Sequence, residues 1–175
     1  NRLLLPYMNE AALLLEEGAS IRDVENAAKA FGMPMGPFTL FDVVGLDTSV
    51  HAGGVMAEAF PDRVIVSQIV PQLLAADRLG QKNGRGFFDY DKDKKGRGTD
   101  SPVVADLIKS LIESPAEFSP EQLTERMFFS MLLEATRVLE DGLVSDPRDV
   151  DLALVFGIGF PPFKGGLLFW ADTIG

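Results

Sequence analysis

Arg2-Leu3-Leu4-Leu5, running through Asn9-Glu10-Ala11 to Leu15-Glu16-Glu17-Gly18, recurs further along the chain. Its echo is Arg126-Met127-Phe128-Phe129, through Leu133-Glu134-Ala135, to Leu139-Glu140-Asp141-Gly142. Both copies pass through a short turn into Arg-Asp-Val and an acid, Arg22-Asp23-Val24-Glu25 and Arg148-Asp149-Val150-Asp151. Gly-x-Pro follows in each (Gly32-Met33-Pro34; Gly159-Phe160-Pro161), and each closes on Asp-x-x-Gly, Asp42 to Gly45 and Asp172 to Gly175. The spacing between the copies widens step by step, and every step falls in a turn. That is the pattern of two homologous helical units that have diverged in their loops.

Working outward, apolar positions recur with helical period over residues 2–17, where Leu4, Met8, Ala11 and Leu15 share a face. Pro6 lies near the first turn, where a missing N–H is harmless. Gly18 stops this helix, and Ser20 with Asp23 forms an imperfect capping box for a second, running to about Gly32. Residues 36–60 read as helical but broken by glycines, and Ser67 to Leu79 as a further helix. The second copy is expected as helices over Val103–Ile112, Glu121–Asp141 and Pro147–Phe156, with a turn at Ser114–Pro120. Apart from a short Gly86-Phe87-Phe88-Asp89-Tyr90 run, no period-2 alternation is visible. The fold class is therefore all-α, a tandem repeat of two related helical units. Residues 1–90 are the first repeat, 91–102 a polar, charged linker and 103–175 the second repeat, truncated at its end. Both ends of the chain read as those of an excised domain.

The chain has 175 residues, 46% of them hydrophobic, enough for a sizeable core. A formal net charge of −10 without a basic face argues against a nucleic-acid partner. With no cysteine there are no disulfides, thiol chemistry or cysteine metal sites. No apolar run approaches a membrane span; an intracellular-type soluble protein is expected. The acidic run Asp89, Asp91, Asp93, Asp100 lacks the glycine and glutamate of a calcium loop, so no metal site is expected.

Other candidate residues have structural readings. His51, the only histidine, could be oriented by Asp47 four residues earlier, but is expected to be a packing or surface residue. Glu10 and Glu134 occupy matched positions inside apolar helices and should find charged or amide partners there. Phe38, Phe41, Phe163, Phe169 and Trp170 are expected in the core or between the repeats. Gly-x-Gly-x-x-Gly after a strand is absent, so these residues do not hold a dinucleotide pyrophosphate in the usual way.

Four segments together are specific: Asn1-Arg2-x-x-x-Pro6, Gly32-Met33-Pro34-Met35-Gly36-Pro37-Phe38, Asp42-Val43-Val44-Gly45-Leu46-Asp47 and Gly80-Gln81-Lys82-Asn83-Gly84-Arg85-Gly86-Phe87. With them the chain resembles the C-terminal domain of 3-hydroxyacyl-CoA dehydrogenases over residues 1–90. The resemblance resumes at about 120–175, with Gly157-Ile158-Gly159-Phe160-Pro161-Pro162-Phe163-Lys164-Gly165-Gly166. The doubling is similar to that of the multifunctional fatty-acid oxidation complex α subunit.

The resemblance implies a helical fold of the 6-phosphogluconate dehydrogenase C-terminal-domain type. It implies NAD, held mainly by a separate N-terminal Rossmann domain carrying a catalytic histidine and glutamate. An acyl-CoA substrate is oxidised from 3-hydroxyacyl to 3-oxoacyl in β-oxidation, and a thiolase subunit is a further partner. By residue, Asn1 matches a substrate-orienting, catalytic asparagine, and Lys82 a lysine that reaches the cofactor. The second repeat would stand in for a partner subunit. A bacterial cytoplasm is the default compartment, with mitochondrial or peroxisomal relatives similar. The alternatives are a free-standing helical interaction module and a 3-hydroxybutyryl-CoA dehydrogenase domain.

Overall fold

The computed structural model describes residues 1–91 and 98–174. Helices dominate: α1 (Leu4–Glu16), α2 (Ile21–Phe31), α3 (Pro37–Val44), α4 (Leu46–Ala59), α5 (Ile69–Ala75), α6 (Pro102–Leu111), α7 (Pro120–Glu140), α8 (Pro147–Ile158) and α9 (Leu167–Ile174). Strands β1 (Phe88–Tyr90) and β2 (Gly98–Asp100) pair antiparallel, Phe88 opposite Asp100. The last three residues of the expected first repeat are thus paired with residues 98–100 of the expected linker, while residues 92–97 of it, with Asp93, lie outside the described residues. The expected helix over Ser67–Leu79 is shorter at both ends. Glu16 caps its start, its carboxylate accepting from the Ser67 hydroxyl and the N–H groups of Gln68 and Ile69, and Asp77, at φ 56°, turns the chain out of the helix after Ala75.

The helix starts follow from capping chemistry. Ser20 accepts from the Asp23 N–H and donates its hydroxyl to the Asp23 carboxylate, so only half of a capping box forms. The full box is at α7: Ser119 accepts from the Gln122 N–H while Gln122 accepts from the Ser119 N–H. Ser-x-x-Gln was the signal for that start, inside the stretch read as a turn. Gly53 and Gly54 do not break α4, which runs through both from Leu46 to Ala59.

Two segments of similar sequence make matching contacts. The buried Glu25 carboxylate accepts the N–H groups of Phe38 and Thr39 in the first turn of α3, and the Thr39 hydroxyl. Asp151 does the same at α9, accepting from Leu168 and Phe169. Gly36 and Gly166 leave room for these carboxylates: an added Cβ would lie 2.3 Å from Glu25 Cδ and 2.2 Å from Asp151 Cγ.

Helices α1 and α7 lie antiparallel along each other and form the centre of the core. Tyr7, Leu14 and Leu15 of α1 and Met127, Phe128 and Met131 of α7 are fully buried. Phe31 of α2 stacks on Phe128 with ring centroids 3.7 Å apart, and Phe160 and Trp170 meet this pair edge-on. Phe38 and Phe41 are buried as expected. Phe163 and Phe169 are not, at 77% and 58% exposed. A Cβ added at Gly32 would lie 2.6 Å from Phe163 Cζ and one at Gly165 2.4 Å from Phe169 Cδ1, so each ring packs on a glycine while much of it stays in solvent.

Phe128→Ala removes a fully buried ring from the seam and should cost about 3–5 kcal/mol in urea unfolding. Phe163→Ala, at its exposed position, should cost within about 1 kcal/mol.

Candidate functional site

Asn1 enters α1 from the surface. Its backbone carbonyl accepts from the N–H groups of Leu4 and Leu5, closing the first turn. Among the described residues its carboxamide has no hydrogen-bond partner. The turn has no side-chain cap of its own. The next residue supplies the anchorage: Arg2 Nε lies 2.6 Å from Glu134 and its Nη2 2.6 Å from Asp141, both on α7, and its guanidinium stacks 4.8 Å from the Phe60 ring centre. Burial works against the Arg2 charge, and the bonds to Asp141 and Glu134 more than offset it, so its pKa is raised. Asp141 is held below the usual carboxylate range by Arg2.

Beside this turn an apolar cavity of about 420 Å³ opens between α1, α4, residues 60–67 and α7. Leu5, Pro6, Val50, Gly53, Phe60 and Leu133 form much of its wall. Residues 60–67 are tied to α1 by Asn9, which donates to the Ile65 carbonyl and accepts from the Ser67 N–H. Asn9 and Glu16 had no assigned part in the sequence. Each is a polar residue within an apolar helical pattern, and that was the available signal.

Lys82 sits in a short 3-10 turn, Gln81–Asn83, above the junction of α3 and α4. Its ammonium pairs with Asp47 at the start of α4 and is 3.0 Å from where a Cβ on Gly45 would be. Asp47 is lowered below its usual range by Lys82. Asp47 is therefore engaged by Lys82, and His51 is exposed on α4. Asn1 and Lys82 lie on different elements, and among the described residues no hydrogen bond or ion pair joins them.

Asp42 organises the loop that carries Lys82. It is buried and accepts the N–H groups of Phe87 and Phe88 and the Tyr90 hydroxyl. An added Cβ on Gly86 would lie 1.9 Å from Asp42 Oδ1, and one on Gly80 2.4 Å from the Asp42 carbonyl oxygen. Gly80 and Gly86 are thus required by the close approach of Asp42. Burial pushes Asp42 up to about 6, against the opposing pull of its donors and of Arg78.

No helix among the described residues is long and apolar enough to cross a membrane, and no cluster of three acidic or histidine side chains among them could hold a metal ion.

An α-helical domain with an arginine-anchored asparagine at its entry and a carboxylate-bound Gly-x-Gly-Phe loop is the class that this geometry defines. Residues 1–90 match the model of the 3-hydroxyacyl-CoA dehydrogenase C-terminal domain, and the chain belongs to that family. It is 44% identical over its whole length to the fatty acid oxidation complex subunit alpha of Pseudomonas savastanoi, of which it covers 25%. The chain thus spans about a quarter of the curated relatives it matches. The dehydrogenase part of multifunctional enzyme 1 from C. elegans is similar in structure, with a TM-score of 0.71 and 26% identity, over 92% of this chain and 36% of that one. The 3-hydroxybutyryl-CoA dehydrogenase of Escherichia coli shares the fold, with a TM-score of 0.76 at 20% identity, over 99% of this chain and 52% of that one.

Asp42 titrates near 6 when folded and near 3.8 when unfolded, so the folded state holds more protons between these values. This contribution favours the folded state below pH 3.8 and is lost as pH rises through 6. Urea unfolding from pH 4 to 7 should show wild type losing stability relative to Asp42→Asn across that window.

Proposed function

We propose that this chain is the substrate-closing part of an NAD-dependent (S)-3-hydroxyacyl-CoA dehydrogenase of β-oxidation, which converts 3-hydroxyacyl-CoA to 3-oxoacyl-CoA. The observation that carries this reading is the exposed, unpartnered carboxamide of Asn1, at the head of the segment by which the chain belongs to its family. A carboxamide N–H aimed at the C3 oxygen of the substrate orients it and stabilises charge gathering there. The apolar cavity beside Leu5 and Pro6 offers surface for an acyl chain. Closure of this surface on a Rossmann domain would exclude water from the reacting atoms.

NAD, when bound, takes up the hydride from C3. Lys82 is the residue of this chain that we assign to it. Its charge is already offset by Asp47, so the pair suits a neutral acceptor better than a bare phosphate. An ammonium has three N–H donors, and Asp47 engages one of them. The cofactor's phosphates would then be held by the Rossmann domain of the same polypeptide.

We read residues 1–90 and 103–175 as a duplicated unit joined by 91–102, the second unit taking the place that a partner subunit would occupy. The paired acid caps and their glycines support this. A thiolase subunit as a further partner, and a bacterial cytoplasm, are favoured by the name and source of the Pseudomonas relative.

In the polypeptide that also carries the nicotinamide-binding domain, Asn1→Ala should lower kcat roughly 100-fold, the scale of losing one oxyanion donor. NAD affinity should be unchanged. Steady-state kinetics with a 3-hydroxyacyl-CoA read this directly, and an unchanged kcat would remove Asn1 from the site.

A further inference from the structure

The two arginine clamps across the α1–α7 seam are chemically alike and differently placed. Arg2 reaches Glu134 and Asp141, and Arg126 reaches Glu10 at 2.5 Å and Glu17 at 2.8 Å. Arg126 lies inside α7, two turns past a start that Ser119 and Gln122 already cap. Arg2 lies before the first residue of α1, in an entry turn that has no side-chain cap. Its neighbour on one side is the first helical turn, and on the other it is Asn1. Loss of the Arg126 clamp leaves a capped helix in place. Loss of the Arg2 clamp removes the side-chain bonds nearest to Asn1 and leaves the entry turn to the Asn1 carbonyl bonds and the packing of Leu3 and Leu4.

We propose that Glu134, with Asp141, is a positioning residue for Asn1, acting through Arg2. The second half of the chain thereby fixes the direction in which the first half presents its carboxamide. Glu134 is suited to the task. Its side chain is 5% exposed against 18% for Arg2, and Arg137 holds its other oxygen at 3.2 Å, so the carboxylate cannot swing away. Asp141, at the exposed end, completes a two-point hold on one planar guanidinium, which sets its orientation as well as its position. The Phe60 ring closes one face of the guanidinium. The inference rests on the functional reading of Asn1, and the experiment separates the two.

Glu134→Gln, Glu10→Gln and Asn1→Ala, alone and combined, would be compared in the full polypeptide well below their melting temperatures. Glu134→Gln should lower kcat by roughly 10- to 100-fold, the scale of a displacement near 1 Å, with KM for NAD unchanged. Glu10→Gln, which opens the matching clamp, should leave kcat within about twofold. In the Asn1→Ala background, Glu134→Gln should cost nothing further in kcat, because the group it positions is gone. A purely structural role would lower kcat equally in both backgrounds, or not at all, and either result overturns the inference. An unchanged kcat in Asn1→Ala overturns the functional reading itself. If Glu134→Gln does not fold, Asp141→Asn at the exposed end, with Glu17→Gln as its counterpart, meets the same criteria.

Discussion

The antiparallel seam between α1 and α7 is the constraint on which the rest of the molecule depends. Its apolar faces alone, Leu14 and Leu15 against Phe128 and Met131, would tolerate sliding, since apolar contact is non-directional. The arginines remove that freedom. Each end of the seam has one guanidinium on one helix and two carboxylates on the other, with the assignment reversed between ends. A slip of one turn, about 5.4 Å, would separate all four pairs at once. Partly buried ion pairs of this kind add little net stability relative to apolar packing, while breaking one partner away is costly. Their effect is to select one register. With that register set, α2 can stack Phe31 on the face of Phe128 and α9 can bring Trp170 edge-on to both.

Around the seam, one device is used three times. A buried carboxylate accepts two successive backbone N–H groups, and a glycine makes way for it: Glu25 with Gly36, Asp151 with Gly166, Asp42 with Gly86. At α3 and α9 it satisfies helix starts that would otherwise leave donors orphaned within the protein. At Asp42 it is turned on a loop and holds the Gly80–Tyr90 segment against the end of α3, which brings Lys82 to Asp47. Placement of a candidate site residue is thus a by-product of the same carboxylate chemistry that builds the helices.

Elements that depend on local pattern were legible in the sequence. The period of Leu4, Met8, Ala11 and Leu15 gave α1, and the Arg-Asp-Val-acid and Gly-x-Pro echoes gave the matched second and third helices of each copy. What local pattern cannot carry is contact across sequence distance. Glu16 delays the start of α5 from 53 residues away, and Phe88–Tyr90 pairs with Gly98–Asp100 of the expected linker although only β1 shows any strand signal. Phe163 and Phe169 were expected in the core or between the repeats because they are large and apolar; Phe163 meets Gly32 of the first half and Phe169 meets Gly165 of its own segment, and both stay largely exposed. At the site, Asn1 and Lys82 were visible as motif members. Around them, Asp141 and Asp47 were visible only as acids, Asp47 as an orienter of His51, whereas Glu134 was expected to find a charged partner and finds Arg2 and Arg137.

Matched residues need not do matched work. Arg2 and Arg126 occupy equivalent places and form equivalent bonds, yet one lies at an uncapped helix entry and the other well inside a capped helix. The chemistry of the pair is the same, and the difference is in what a loss of the pair would release. The same holds for the third helices: α3 is followed by α4 and the Lys82 loop, whereas α9 closes the aromatic cluster through Trp170. Similar ion pairs in the two halves of the chain therefore differ in what they hold: one lies at a helix entry beside Asn1, the other within the body of α7.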